Sequence, residues 1–216
     1  MKPVEDRLQA VADDYTGQNL YAGIAWHVEQ AGKLIASGTS GTADEARKTP
    51  LGSDAIFRIY SMTKPVVSVM ALILVQRGQL RLSDFVMQYI PSFANTQVLV
   101  EGGTEAPARP MTVEDLLTHR SGLSYDFVPD CPVAEQYSEI ELIKRVEQSL
   151  AEFADTIASY PLAFHPGSQW RYSVATDVLA RVLEVASGQP LDALLDENIF
   201  APLQMGDTGF YVPQDK

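Results

Sequence analysis

Ser61 and Lys64 stand three residues apart in Ser61-Met62-Thr63-Lys64-Pro65-Val66-Val67, at the head of the run SVMALILVQ, residues 68–76. That run is apolar enough for burial on nearly every side. An ammonium buried without a partner is costly, so Lys64 either reaches solvent or has a chemical use. Pro65 lacks an N–H and belongs in the first turn of a helix, which places Ser61 at or just before the helix N-terminus. Three residues on, Lys64 falls on the same face. The dipole and the free N–H groups of a helix start favour negative charge, so the Ser61 amide is a candidate for one arm of an oxyanion hole. A lysine desolvated by the helix behind it has its pKa pushed down, and its amine could take the serine proton or hold a second base in ionised form. A serine and a lysine at this spacing arise about once by chance in a chain of this length, so the pair needs company.

Other nucleophile chemistries find less support. Cys131, in Pro129-Asp130-Cys131-Pro132, is the single cysteine and has no histidine near it in sequence, which favours a packed thiol and rules out an intrachain disulfide. His119 reads as capping or packing behind a site. No G-x-S-x-G elbow occurs, which argues against an α/β-hydrolase triad. His27, His119 and His165 are too dispersed for a local metal signature, so no metal or cofactor is expected. Asp130, Glu135, Glu139 and Glu141 read as a solvated acidic face. A net charge of −12 and a pI near 4.6 repel nucleic acid and anionic membrane surfaces alike, leaving small molecules as the expected partners. The N-terminal MKPVEDRLQAVADDY is too acidic for a signal peptide, and no run reaches the roughly 18 apolar residues of a membrane span. A soluble, cytoplasmic protein is expected.

The elements that must position Ser61 and Lys64 read as follows. Val4, Leu8, Val11 and Tyr15 form one face of a first helix. Leu20–Val28 and Lys33–Ser37 read as a hairpin around Glu29-Gln30-Ala31-Gly32, residues 39–54 as a surface loop, and Ala55–Tyr60 as a short strand. The Ser61 helix runs from about Met62 to Gln76 with Gly78 as its stop. Beyond Leu80 the pattern turns helical: Thr112–His119 with a near capping box to Asp115, Glu139–Ala158 with Ile140, Ile143, Val146 and Leu150 inward, Ala175–Ser187 ending at Gly188, and Leu191–Phe200. The fold class is α/β of the α+β type, an antiparallel sheet flanked by helices with an inserted, mostly helical domain. The expected division is residues 1–79, 80–200 and a return segment 201–216. Two or three strands leave long unpaired edges, so the sheet is expected to be completed by downstream sequence or by a second chain.

Four stretches supply the missing company. SMTKPV, LLTHRSGL at 116–123, HPGSQWRYS at 165–173 and PLDALLDENIFAPLQMGDTGF at 190–210 resemble, in order, segments of the serine β-lactamase and penicillin-binding-protein superfamily, with greatest likeness to class C β-lactamase-like (family VIII) carboxylesterases. The resemblance implies that Ser61 is the nucleophile, Lys64 the lysine of its motif, and Tyr172 a residue acting as or with the general base. A free tyrosine, with a pKa of about 10, needs a nearby cation for that role. Val174 stands where many β-lactamases and carboxypeptidases carry asparagine, and it cannot hydrogen-bond an amide substrate, which tilts the implied activity toward carboxylic esters. The alternatives are a β-lactamase or D-alanyl peptidase and, from another class, a binding or sensor module that acylates without turnover or an inactive piece of a larger assembly. The family's third motif, with the second oxyanion donor, would lie past Lys216.

Overall fold

The computed structural model describes residues 3–44, 46, 48–142 and 147–212. The chain divides into two compact units, residues 1–58 and 59–216, so the Ser61 helix groups with the helical part rather than with the hairpin as a division after residue 79 would have it.

In the first unit, helix α1 (Val4–Gly17) packs on an antiparallel sheet of β1 (Gly23–Gln30), β2 (Lys33–Asp44) and β3 (Thr49–Pro50), in that order. The hairpin turn is tighter than the four residues expected. Ala31 and Gly32 alone make it, with φ of 51° and 72°, the two left-handed residues that a twist-matched two-residue turn requires, and Gln30 faces Lys33. A register shift between Val28 and Glu29 lets β1 run through Glu29-Gln30.

The expected 39–54 loop is corrected, because β2 continues to Asp44 and β3 pairs with Thr42 and Asp44. The extension is held from outside the strand. The Gln9 amide donates to the Thr39 carbonyl at 3.0 Å, and the Thr16 and Ser40 hydroxyls meet at 2.8 Å. Gly41, at φ 79°, lies against the backbone of Ala22 and Gly23, where any side chain would collide. These polar contacts also rotate α1: Ala12 is buried with Leu8, Gln9 and Thr16 partly so, while Val4, Val11 and Tyr15 are exposed. The expected Val4-Leu8-Val11-Tyr15 face is therefore not the packed one. Ala55–Tyr60, read as a strand, joins no ladder among the described residues.

In the second unit, α2 (Thr63–Gln76) buries Val67, Met70, Ala71 and Leu74 and packs on α6 (Ala175–Ser187), whose stripe is Val178, Leu179, Val182 and Leu183. Val69 and Leu72, on the opposite side of α2, are exposed, so the helix is one-sided despite its uniform composition. Gly188, at φ 72°, ends α6 in the left-handed conformation that a Cβ disfavours. A short hairpin, β4 (Val98–Val100) with β5 (Gly103–Glu105), joins the helices, and the Leu99 N–H donates to the Leu162 carbonyl at 2.9 Å. Helix α3 (Val113–Leu117) starts at the Thr112 cap as its sequence predicts.

Two helices replace the expected 139–158 helix. Helix α4 (Pro132–Glu139) has proline in its first turn and buries Val133, Ala134 and Tyr137; α5 (Leu150–Ala158) starts at a Ser149 capping box whose Oγ accepts from the Glu152 N–H at 3.2 Å. Ile143 and Val146 lie outside the described residues. The last helix, α7 (Leu191–Leu195), passes into a wider π-type turn at Asp196–Phe200.

Asp115 ties α3 to its approach segment. Its carboxylate accepts both Arg109 guanidinium nitrogens at 2.6 and 2.8 Å, together with the Thr112 N–H and hydroxyl at 2.9 Å each. Burial pushes its carboxyl up, but these partners outweigh it and hold it below the usual range. Asp115→Asn should cost about 2–3 kcal/mol in urea unfolding at pH 7, since one charge of a desolvated pair loses its partner while Arg109 keeps access to water. The folded carboxyl is depressed, so its contribution is present above the unfolded value near 4 and is lost as pH falls through the folded value. The gap between wild type and variant should therefore close on acidification, and an unchanged gap at pH 3 would contradict this.

Candidate active site

Ser61 sits in a single 3-10 turn, Tyr60–Met62, that runs directly into α2. Tyr60 carries a φ of 44°, uncommon for a bulky residue, so the backbone is strained immediately before the serine. One turn on, Lys64 reaches back and its Nζ lies 3.3 Å from Ser61 Oγ, as the spacing predicts. Tyr172 arrives from 111 residues away, with its hydroxyl 2.6 Å from Ser61 Oγ. It lies three residues before the first residue of α6, with Val174 as the N-cap position, so the packing of α6 on α2 brings the two motifs together.

Tyr125 is the fourth member, and the motif reading missed it. Its hydroxyl accepts from Lys64 Nζ at 3.0 Å, and its ring stacks on Phe127 at 4.8 Å. Three features hold it in place. Gly122 turns at φ 90° against the Phe164 carbonyl, where a Cβ would clash; the Gly122 carbonyl accepts from Ala163 N–H at 2.7 Å; and the Ser124 carbonyl accepts from Val174 N–H at 3.2 Å. The available signal was a tyrosine just after LLTHRSGL in a segment with no helical periodicity.

The electrostatics correct one expectation. Burial pulls Lys64 down, but its hydrogen bonds and charge interactions with Tyr125 and Tyr172 outweigh burial and push it up. Lys64 is thus a cation with hydroxyl and ring partners, standing 4.8 Å from the Tyr172 centroid and 5.4 Å from that of Tyr125, rather than an amine poised to lose its proton. The two tyrosines diverge. Burial raises Tyr125 above its ordinary value despite Lys64. For Tyr172, burial is outweighed by the Ser61 hydrogen bond and the Lys64 cation, and the phenol is lowered. Environments that push paired groups apart divide the acid and base roles.

Val174 is buried and lies beside Tyr125 on the wall of a cavity of about 220 Å³ shared with Leu150, Phe153 and Asp177. Cys131 is also buried, its sulfur 2.6 Å from an Arg171 guanidinium nitrogen, apart from the Ser61 cluster. Among the described residues, no group of three His, Cys, Asp or Glu side chains could hold a metal, and no helix is long and apolar enough to cross a membrane.

Comparison with known proteins bears on the same segments. The beta-lactamase family matches over residues 8–216. Esterase EstB of Burkholderia gladioli is 37% identical over 205 residues, 94% of this chain and 51% of its own, and a lovastatin esterase of Penicillium rubens is 33% identical over 76% of this chain and 42% of its own. Among solved structures, EstCE1, described as a hydrolase with promiscuous acyltransferase activity, superposes with a TM-score of 0.85 at 29% identity, over 97% of this chain and 54% of that one. The chain thus spans about half the length of the relatives it matches. A match over nearly the whole chain, with EstB well above 30% identity, leaves one assignment: the chain belongs to the beta-lactamase family, in company with relatives that are esterases.

Proposed function

We propose that this chain carries the nucleophile half of a serine hydrolase that cleaves small-molecule carboxylic esters through an acyl-enzyme on Ser61. The observation that carries the reading is the contact of Ser61 Oγ with both the Tyr172 hydroxyl and Lys64 Nζ. Tyr172, as phenolate beside the Lys64 cation, takes the Ser61 proton as Oγ bonds the ester carbonyl carbon. The phenol then returns that proton to the departing alkoxide. Water, or a second alcohol, attacks the acyl-enzyme by the reverse proton route and frees the serine. The Ser61 N–H, in the 3-10 turn that leads into α2, is the candidate donor to the developing oxyanion.

Esters are favoured over β-lactams and peptides by Val174, whose buried side chain offers no hydrogen bond to an amide. The esterase relatives, and a neighbour described as transferring acyl groups, point the same way. The test pairs a fluorophosphonate probe, read by intact mass and peptide mapping, with turnover of a nitrophenyl butyrate and of a chromogenic cephalosporin. One adduct on Ser61 with ester turnover is expected. An adduct elsewhere would sink the mechanism, cephalosporin turnover without ester turnover would replace it with a β-lactamase, and a stoichiometric adduct without turnover would make the protein a sensor.

A further inference from the structure

His119 occupies a backbone position that a glycine fills at less cost. Helix α3 closes with His119 N–H to the Leu116 carbonyl at 3.3 Å and Arg120 N–H to the Asp115 carbonyl at 2.8 Å, the paired pattern whose first donor residue turns left-handed. His119 does so at φ 55°. A strained side chain retained where glycine is the default points to work done by the side chain.

Four consecutive residues ahead of α6 meet His119. Its ring stands edge-on to Trp170 at 6.4 Å and is tilted against Tyr172 at 5.0 Å. Its carbonyl accepts from Arg171 N–H at 2.9 Å, and its Nδ1 is 3.3 Å from Ser173 Oγ. Ser173 is fully buried and its Oγ already accepts from Ala175 N–H at 3.3 Å, so the hydroxyl proton must go elsewhere. His119 Nδ1 is the acceptor, which assigns the ring proton to Nε2 by its hydrogen-bond network.

We propose that neutral His119, as its Nε2–H tautomer, is a positioning residue that holds Tyr172 against Ser61, and that protonation of the ring releases this hold. The inference rests on reading Ser61 and Tyr172 as the reacting pair. An imidazolium would donate from Nδ1 and leave the buried Ser173 proton without an acceptor. It would also set a second cation beside Lys64. Burial and the Lys64 charge together hold His119 below its ordinary value, so the ring is neutral at pH 7. Lys64 is the charge that faces the ring from α2, and Tyr172 is the titratable group packed on it. Arg171 meets it through the backbone only, its guanidinium lying on Cys131 and Phe164, while Arg120 is directed to the Gly167 carbonyl. Asp177 acts at one remove, through Lys64 and Tyr172.

The test uses the rate of fluorophosphonate labelling of Ser61 against pH, with ¹⁵N-histidine and ring-labelled tyrosine NMR on the same protein. Below about pH 6.5 the logarithm of the wild-type rate should steepen from a slope of one, set by Tyr172, toward two as His119 also protonates. The Tyr172 resonance should move with the His119 titration. His119→Gly relieves the backbone but removes both the ring and the acceptor of the buried Ser173 hydroxyl, so labelling should slow about 10- to 100-fold. His119→Asn tolerates the left-handed turn and offers an uncharged acceptor to Ser173; it should recover most of that loss and keep a slope of one. The same steepening in His119→Asn, or labelling of His119→Gly at the wild-type rate, overturns the proposal. If wild type does not label at all, the Ser61 reading fails, and the link between the His119 titration and the Tyr172 resonance still decides the positioning role.

Discussion

Replacing Lys64 with methionine is expected to lower kcat/KM for a short-chain nitrophenyl ester by about 1,000- to 10,000-fold, a barrier increase of about 4–5 kcal/mol at 1.36 kcal/mol per decade. The loss is larger than one hydrogen bond because the ammonium acts through three groups. It touches Ser61 Oγ and the Tyr125 hydroxyl, and it lies over the Tyr172 ring. Without it, the phenol of Tyr172 keeps its burial penalty and loses the cation that offsets it. The remaining activity should then rise with pH over a range shifted upward relative to wild type. Methionine keeps the length and apolar bulk of the lysine stem, and the cation has hydroxyl and ring partners rather than a close carboxylate, so the melting temperature should hold or increase. A large activity loss with an unshifted pH profile would leave Lys64 holding Ser61 but not tuning Tyr172.

How far this site is legible in the chain follows from which contacts are local. The spacing of Ser61, Lys64 and Pro65 places serine and lysine on one helical face, and the structure has them 3.3 Å apart because a helix turn dictates it. Likewise α6 runs from Ala175 to Ser187 as read, since its apolar stripe repeats with helical period and Gly188 takes the left-handed stop. The direction of the Lys64 shift was not legible. Desolvation can be read from neighbouring valines, but the hydroxyls that outweigh it sit 61 and 108 residues further along. Tyr125 was missed for the same reason: its place is set by Gly122, Ala163 and Val174, which the fold alone assembles. Strand ends failed in both directions. Thr39–Asp44 looked like loop yet extends β2 because α1 side chains bind it, and Ala55–Tyr60 looked like strand yet finds no ladder. Strand preference registers a half-buried, paired surface, and pairing is not a property of the segment itself.

Tyr172→Phe should reduce kcat/KM by about 100- to 1,000-fold, the span of a lost general base, with KM little changed because the ring still packs between His119 and Tyr125. In wild type the pH dependence follows from a lowered phenol. Below its pKa the phenolate fraction falls tenfold per unit, so kcat/KM should climb with pH and level off below 10, the ordinary tyrosine value. The variant should lose that climb. Tyr125→Phe provides the contrast: burial keeps Tyr125 above 10, so its loss should weaken activity through Lys64 without flattening the profile. The Lys64→Met, Tyr172→Phe double variant tests whether the two act as one unit. If Lys64 serves mainly to hold Tyr172 in its basic form, the double variant should be scarcely slower than Lys64→Met alone. Losses that multiply would instead mean that Lys64 and Tyr172 act on Ser61 independently, with the lysine itself accepting the serine proton.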